Sequence, residues 1–428
     1  MDTLRHFGRT TFSSLRIRNY RLYFIGQAIS QCGTWMQTVA LGWLVLELTH
    51  SGTQLGIVVA LQFVPLLVAG PWGGLIADQF DKRTILYWTQ SLFGLLALAL
   101  SILVFSGAIQ MWELYIFAFG LGIVRVFDNP VRQTFVSEMV PNSHVKNAIS
   151  LNSTANNLAR AVGPSIGGVL IAGVGIAFCF LLNALSYIAV LFMLARMRES
   201  ELHIAPQASK KSGELREGFY YVLSSPLIRN TLLMMAFIGT FAYEFQVSLP
   251  LLAEQTFHGT AASYALLLAA MGIGSVIGGL FAAGRHTISS RHLIIFIVLF
   301  GTSLIATSLM PTLLLAAVGM VVVGFFSINV TSLGNTMLQL ESIPKMRGRV
   351  MALWGIAMIG STPIGGPIIG FIGESAGGRW GLAVGGIVAL VTGMFAARSL
   401  LAKEMRGTIS ESVQIRSDEA AAENVKLI

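Results

Sequence analysis

Residues 140–168 read VPNSHVKNAISLNSTANNLARAVGPSIGG, and residues 343–371 read IPKMRGRVMALWGIAMIGSTPIGGPIIGF. The second stretch follows the first at a constant offset of 203 (343 minus 140). That offset pairs Val140-Pro141 with Ile343-Pro344 and Lys146 with Arg349, and it pairs Gly163, Pro164 and Gly167 with Gly366, Pro367 and Gly370. Register kept over a whole segment marks a duplication. Each copy is a polar, basic loop running into an apolar helix whose far half carries small residues and a proline. A mid-helix proline frees a carbonyl and bends the axis, while glycines on one face admit a neighbouring backbone. The two copies therefore predict two bending, close-packing helices, one in each half of a duplicated membrane bundle. Bundles of that kind hold a ligand near the bilayer midplane, between the halves.

The rest of the chain fits a membrane solvent. Of its 428 residues 54% are hydrophobic and 11% charged, with a mean hydropathy of +0.72; an ordinary soluble domain is roughly 25% charged. The apolar material falls into runs near the ~20 residues that cross a ~30 Å hydrocarbon core, not into the short alternating segments of a β-barrel. The fold class is all-α integral membrane, with twelve spans at 21–48, 53–77, 84–106, 112–132, 147–173, 175–196, 229–251, 261–284, 292–310, 312–334, 349–373 and 379–400. The division is an N-terminal segment 1–20, a six-helix bundle 21–196, a linker 197–228, a second six-helix bundle 229–400 and a tail 401–428.

Arg5, Arg9, Arg16 and Arg18 precede the first apolar run with no small-residue cleavage site after it, which predicts an uncleaved first helix. With a cytoplasmic N terminus, every Lys and Arg except Arg125, Arg160 and Arg379 falls in a segment on the cytoplasmic side. The positive-inside rule then places both termini in the cytoplasm. The formal charge of +8 follows this distribution and does not indicate nucleic acid. Cys32 and Cys179 lie inside apolar runs and read as packing residues. All seven histidines sit in loops or at span ends, so neither a metal site nor a histidine relay is expected. In the linker, Glu214–Leu223 reads as a short amphipathic surface helix.

The loop between spans 2 and 3, Gly74-Leu75-Ile76-Ala77-Asp78-Gln79-Phe80-Asp81-Lys82-Arg83, resembles the signature loop of the major facilitator superfamily. The pattern Ala159 to Gly168 resembles the fifth-helix motif of that superfamily's antiporters. Asp128-Asn129-Pro130-Val131-Arg132-Gln133, with Val140-Pro141 and Arg160–Pro164, is similar to the branch of transmembrane secretion effectors that contains the enterobactin exporter and related siderophore and drug efflux proteins. Two departures stand out: Gln79 replaces a basic residue and Asp81 a glycine. The second-half echo, Gly279 to Arg285, has lost the aspartate, so the gating loop is asymmetric.

The resemblance implies two pseudo-symmetric bundles working by alternating access in a bacterial inner membrane. It further implies a monomer, with a small-molecule substrate and protons as partners, no cofactor, and the proton gradient as energy source. Export, as opposed to import, rests on the resemblance alone. A lipid-handling or non-transporting protein on the same fold is the alternative, and it requires an apolar, laterally open cavity between the halves. A membrane enzyme would need a surface cluster of His, Asp or Ser, which the chain lacks, and the absence of a Gly-Lys-Ser/Thr phosphate loop removes ATP hydrolysis.

Candidate site residues are the polar groups that apolar spans do not explain, since ionised groups inside a membrane face a partner or a wet cavity. Arg160 lies at mid-depth in span 5, with Asn156 one turn before it and no acid on its helix. It attracts an anionic substrate, or pairs with an acid on another helix or with a carbonyl at the proline bend. Glu244 interrupts span 7 and is the first candidate for proton coupling, because a carboxyl in an apolar surround can exchange a proton as access alternates; a tyrosine- or water-bonded acid near the outer interface is its alternative. Gln27, Gln31, Thr34 and Thr38 form a polar stripe on span 1, expected either at the cavity or in interhelical hydrogen bonds. Asp78, Arg125 and Asp128, with Arg132, form the expected gating network. Through the resemblance, Asp78 is to meet the N-terminal end of span 11 near Arg349.

Overall fold

The computed structural model describes residues 12–203, 214–285, 289–358 and 360–397, with the backbone alone for 71–78 and 214–216. Among the described residues there is no strand. The first lobe contains α1 (Arg18–Thr49), α2 (Gly52–Gln79), α3 (Lys82–Phe105), α4 (Met111–Glu138), α5 (Val145–Val174) and α6 (Ile176–Ala195). A linker helix α7 (Glu214–Ser224) follows. The second lobe contains α8 (Pro226–Ala242), α9 (Phe245–Leu251), α10 (Ala261–Ala283), α11 (Ser290–Ser308), α12 (Leu313–Glu341), α13 (Pro344–Met358), α14 (Thr362–Ala376) and α15 (Gly378–Ala397).

Eleven segments of the described chain are long and apolar enough to cross a membrane. The helix outside that group is α1, although it runs for 32 residues. Its Gln27, Ser30, Gln31, Thr34, Gln37 and Thr38 lower its hydropathy, and these side chains turn into the lobe instead of toward lipid, with Gln27, Ser30 and Gln37 buried.

Two spans expected to be continuous are not. The seventh is broken at Tyr243 and Glu244, between α8 and α9, and ends in a π-helical turn, Leu252–Thr256. Pro250 lies inside α9, and its ring disfavours the ordinary helical position of the residue 246 carbonyl. The eleventh is broken between Met358 and Thr362, where the chain reads Gly360-Ser361-Thr362-Pro363. Proline suits the first turn of a new helix and disfavours helix in the residue before it. In the duplication Pro363 is the counterpart of Arg160 (363 minus 203), so the copy with the arginine stays helical for 30 residues and the copy with the proline divides.

The duplicated helices form both seams between the lobes. Across one, α2 meets α14: a Cβ added to Gly56 would lie 2.3 Å from the Gly366 carbonyl oxygen, and one on Gly52 would lie 2.5 Å from that of Gly370. Across the other, α5 meets α10: a Cβ on Gly272 would lie 2.7 Å from the Ala161 Cα, and one on Gly168 would lie 2.6 Å from the Ala265 Cβ. Gly163 and Gly167 instead face Trp35 and Met36 of α1, inside their own lobe. Both seams lie in the halves of these helices remote from the linker. Polar contacts reinforce that end. Glu374 accepts hydrogen bonds from the Ser51 hydroxyl (2.7 Å) and the Thr53 N–H (2.9 Å), placing a carboxylate at the start of α2. His50 Nδ1 lies 2.8 Å from Glu254 Oε1.

At the linker end the contacts are within lobes or with the linker. Lys82 pairs with Glu138 and Arg83 with Glu199, and Arg83 also donates to the Leu194 carbonyl through Nη2 (2.9 Å). Asp81, where the resembling loops carry glycine, caps α3 by accepting from the Thr84 N–H and hydroxyl, both at 2.7 Å. The linker helix docks on α13 as well as being amphipathic. Glu217 Oε2 is 2.7 Å from Arg349 Nη1, and the Ile343 N–H donates to the Tyr221 hydroxyl. The lobes thus touch at the end remote from the linker and diverge toward the linker.

Gly56→Ala should push the outer seam apart, because overpacking of this kind costs about 1–3 kcal/mol. In a background with Cys32 and Cys179 replaced, a cysteine substituted at Ser51 should then react with an impermeant maleimide roughly fivefold faster or more, since 1.4 kcal/mol is a factor of ten. Unchanged labelling would remove the seam from the closure of this end.

Candidate functional site

A cavity of about 540 Å³ lies between the lobes and extends toward the linker end. Val59 and Phe63 of α2 and Arg160 of α5 form the first-lobe wall. The second-lobe wall is made by Tyr243, Glu244 and Gln246 around the break in the seventh span, by Ser327 to Asn335 of α12, and by Trp354, Met358 and Thr362 around the break in the eleventh. Both helix breaks therefore open onto the cavity, a setting in which irregular backbone at membrane depth is tolerated.

Arg160 makes no ion pair or hydrogen bond among the described residues. Its guanidinium lies over the Trp35 ring, 4.9 Å from the centroid, and its Nε is buried without an acceptor. The carbonyl partner and the acid partner considered from sequence are both absent from its surroundings there. Glu244 is 3% exposed, Thr362 hydrogen-bonds its carboxyl, and Oε1 is buried without a donor. Its neighbour Tyr243 donates instead to the Ser327 carbonyl at 2.8 Å. Close packing presents the carboxyl: Gly365 of α14 sits against the Thr240 carbonyl, and a Cβ there would meet Glu244 Oε1 at 2.9 Å. One wall thus carries a cation and the other an acid, each with an unmatched polar atom.

The other expected site residues lie elsewhere. Asn156 is exposed and not part of this wall. Gln31, Thr34 and Thr38 do not line the cavity between the lobes. They face a smaller pocket of about 60 Å³ inside the first lobe, shared with Gln37, Gln62, Gln90, Arg125, Asp128, Asn129, Arg132 and Tyr187. Gln27 is buried, and its Oε1 accepts from Arg132 Nη1 at 3.4 Å. The polar stripe of α1 looks inward because α2, α3, α4 and α6 supply its hydrogen-bonding surroundings, a choice that helical spacing leaves open.

Asp128 is 2% exposed and ties α4 to α3: Oδ1 accepts from Gln90 Nε2 (2.7 Å) and the Thr89 hydroxyl (3.0 Å), while Oδ2 lies 3.6 Å from Arg132 Nε. Thr89 and Gln90 escaped the sequence reading; a polar pair in the first half of span 3 was the signal. Arg125 lies against the Phe63 ring, 5.7 Å from its centroid. The side chain of Asp78 lies outside the described residues, as does the linker stretch 204–213. The second-half counterpart of the signature loop holds its arginine without an acid among the described residues. Arg285 lies over the rings of Phe296 (4.4 Å) and Phe281 (5.1 Å), and Nη2 donates to Asn329 Oδ1 at 3.3 Å. An apolar groove of about 630 Å³ lies between α8 and α15, within the second lobe and not between the lobes.

Two helical lobes around a central cavity, lined by apolar and polar side chains with Arg160 and Glu244 among them, define a two-lobed membrane fold of the kind used by secondary transporters. The chain belongs to the major facilitator superfamily, in its transmembrane secretion effector family, whose model matches residues 9–425. It is 26% identical over 261 residues to the staphyloferrin A transporter of Staphylococcus aureus, covering 61% of this chain and 66% of that one. An uncharacterized MFS-type transporter, YfiS of Bacillus subtilis, is 27% identical over 62% of this chain and 63% of its own. Both matches span slightly less than two-thirds of those relatives. The enterobactin exporter EntS of Salmonella typhi is 24% identical over 359 residues, 83% of this chain and 85% of that one. Among solved structures, a bacterial homologue of the human lysosomal transporter Spinster, inward-facing and unoccupied, superposes with a TM-score of 0.69 at 15% identity, covering 90% of this chain and 97% of that one. The likeness to that structure is one of fold.

Asp128→Ala should strand Gln90, Thr89 and Arg132 and destabilise the first lobe by about 3 kcal/mol, the usual cost of leaving buried charge-assisted partners unpaired. Asp128→Asn, which keeps an acceptor, should cost less. Thermal unfolding of the detergent-purified variants tests the order; equal melting of Asp128→Ala and wild type would show that the α3–α4 tie is not stabilising.

Proposed function

We propose that this chain is a secondary active transporter that exports a small anionic molecule, of siderophore or drug-like size, in exchange for protons across a bacterial inner membrane. The observation that carries the reading is the pairing of Arg160 and Glu244 on opposite walls of one cavity closed at its outer end. Arg160 offers charge and donors to an anion, and the aromatic faces of Phe63, Tyr243 and Trp354 offer apolar contact. Glu244 takes up a proton when the cavity faces the acidic side and releases it when the cavity faces the cytoplasm. Its position between the breaks of the seventh and eleventh spans couples that proton to the rocking of one lobe on the other, because each break is where a helix can bend. Proton binding then supplies the difference in free energy between the two states.

The direction of transport draws its support from the named exporters among the relatives and from the fifth-helix motif. A lipid-handling role would call for an apolar cavity between the lobes, whereas Arg160, Glu244, Gln246 and Asn335 line this one. We place both termini on the cytoplasmic side, from the charge bias, and take the working unit to be the monomer.

In proteoliposomes with an imposed pH gradient, Glu244→Gln should bind substrate but lose the dependence of transport on the gradient. Arg160→Ala should lose roughly tenfold or more in apparent affinity for an anionic substrate, matching a charge-assisted contact of about 1.5–3 kcal/mol. Wild-type rates and gradient dependence in both variants, at matched expression, would sink the assignment. Cells lacking the protein should accumulate the exported compound, and the failure of any compound to accumulate would count against export itself.

A further inference from the structure

The pocket inside the first lobe has no part in the transport scheme above, and its charges do not balance. Three ionisable residues other than Tyr187 line it: Arg125, Arg132 and Asp128. The Asp128 carboxylate is committed, with Oδ1 taken by Thr89 and Gln90 and Oδ2 turned toward Arg132. Arg125 forms no ion pair or hydrogen bond among the described residues; its guanidinium lies against the Phe63 ring, within the electrostatic reach of Asp128, Arg132 and Tyr187. A guanidinium carries five N–H donors and does not lose its charge. The rest of the wall is neutral and includes side chains that can donate, among them Gln31, Gln62 and Tyr187, whose hydroxyl is 3.3 Å from that of Thr34.

Two guanidinium groups against one carboxylate leave one positive charge among the described residues that line the pocket. Water can fill the hydrogen bonds but cannot balance the charge. The pocket volume of about 60 Å³ accommodates about two waters at ~30 Å³ each, or one ion of comparable size. We propose that this pocket binds one small monovalent anion, of halide or formate size, on the Arg125 guanidinium. Such an anion has two sources: a free ion from solution, or a carboxylate arm of a larger molecule in the cavity between the lobes. Phe63 connects the two spaces, since its ring covers Arg125 and also lines that cavity.

The test uses the purified full-length protein in detergent. Gluconate is replaced at constant ionic strength by chloride, bromide or formate, and thermal unfolding is followed. A saturable rise of roughly 2 °C or more is expected for the small anions. Arg125→Gln should abolish the rise, and Arg160→Gln should retain it. If citrate or succinate also stabilises, and that effect is lost in both variants, the anion is an arm of a ligand spanning both spaces. If only halide and formate act, it is a free ion. Crystals grown in bromide should show anomalous density beside the Arg125 guanidinium, and this measurement decides the matter alone if Arg125→Gln does not fold. No anion-specific shift in wild type, the same shift in Arg125→Gln, or a bromide crystal without that density would each overturn the proposal and leave the pocket to water.

Discussion

The approach of backbone to backbone across the two outer seams is the contact on which the rest of the structure depends. In lipid, apolar surface gains little by leaving one greasy surround for another, so helices associate through close packing and polar contacts. Gly52 and Gly56 lie on the carbonyls of Gly370 and Gly366, while Gly272 and Gly168 lie on Ala161 and Ala265. A side chain in place of any of these glycines would hold the lobes apart at the end remote from the linker. With that end joined and the other spread, the space left between the lobes becomes a cavity with one open side. Under the proposed transport scheme these seams would have to separate, and short contacts without interlocking side chains suit a surface that parts and closes again.

The charged groups inside the membrane fall into two kinds, and the distinction is energetic. Asp128 has its lone pairs taken by Thr89, Gln90 and Arg132, so its burial is compensated within the lobe and it acts as a tie. Arg160 and Glu244 each keep an unmatched buried polar atom, and both border the same cavity. Unmatched groups lower stability unless something arrives to meet them. Structural ties and ligand-facing groups can therefore be told apart by counting partners, even though both appear in sequence as rare charges in apolar spans.

Ion pairs near the linker hold the helix ends together. Lys82 and Arg83 pair with Glu138 and Glu199, so the basic pair of the loop holds α3 to the ends of α4 and α6 inside one lobe. In the second lobe the corresponding arginine, Arg285, rests on Phe281 and Phe296 instead of an acid. The two lobes are thus related in backbone but stiffened by different chemistry. Glu217 on the linker helix reaches Arg349, which ties the connection between lobes to the beginning of the broken eleventh span.

Much of this was legible from the chain alone. Long apolar runs and the 203-residue repeat determined a duplicated helical membrane bundle, because hydropathy and register are one-dimensional properties that lipid enforces on every span. Pro363 opposite Arg160 already carried the break in the eleventh span, although an apolar run hides a break that polarity does not mark. Arg160 and Glu244 could be picked out as rare charges expected to border a shared cavity, but the walls they occupy and their partners there could not. Only the tertiary structure decided that the stripe of Gln31, Thr34 and Thr38 turns into its own lobe, that Asp128 is matched and that Arg125 has no ion pair among the described residues. The physical reason is that helical spacing fixes which side chains share a face, whereas the partner of that face is set by the rotation and packing of helices distant in sequence.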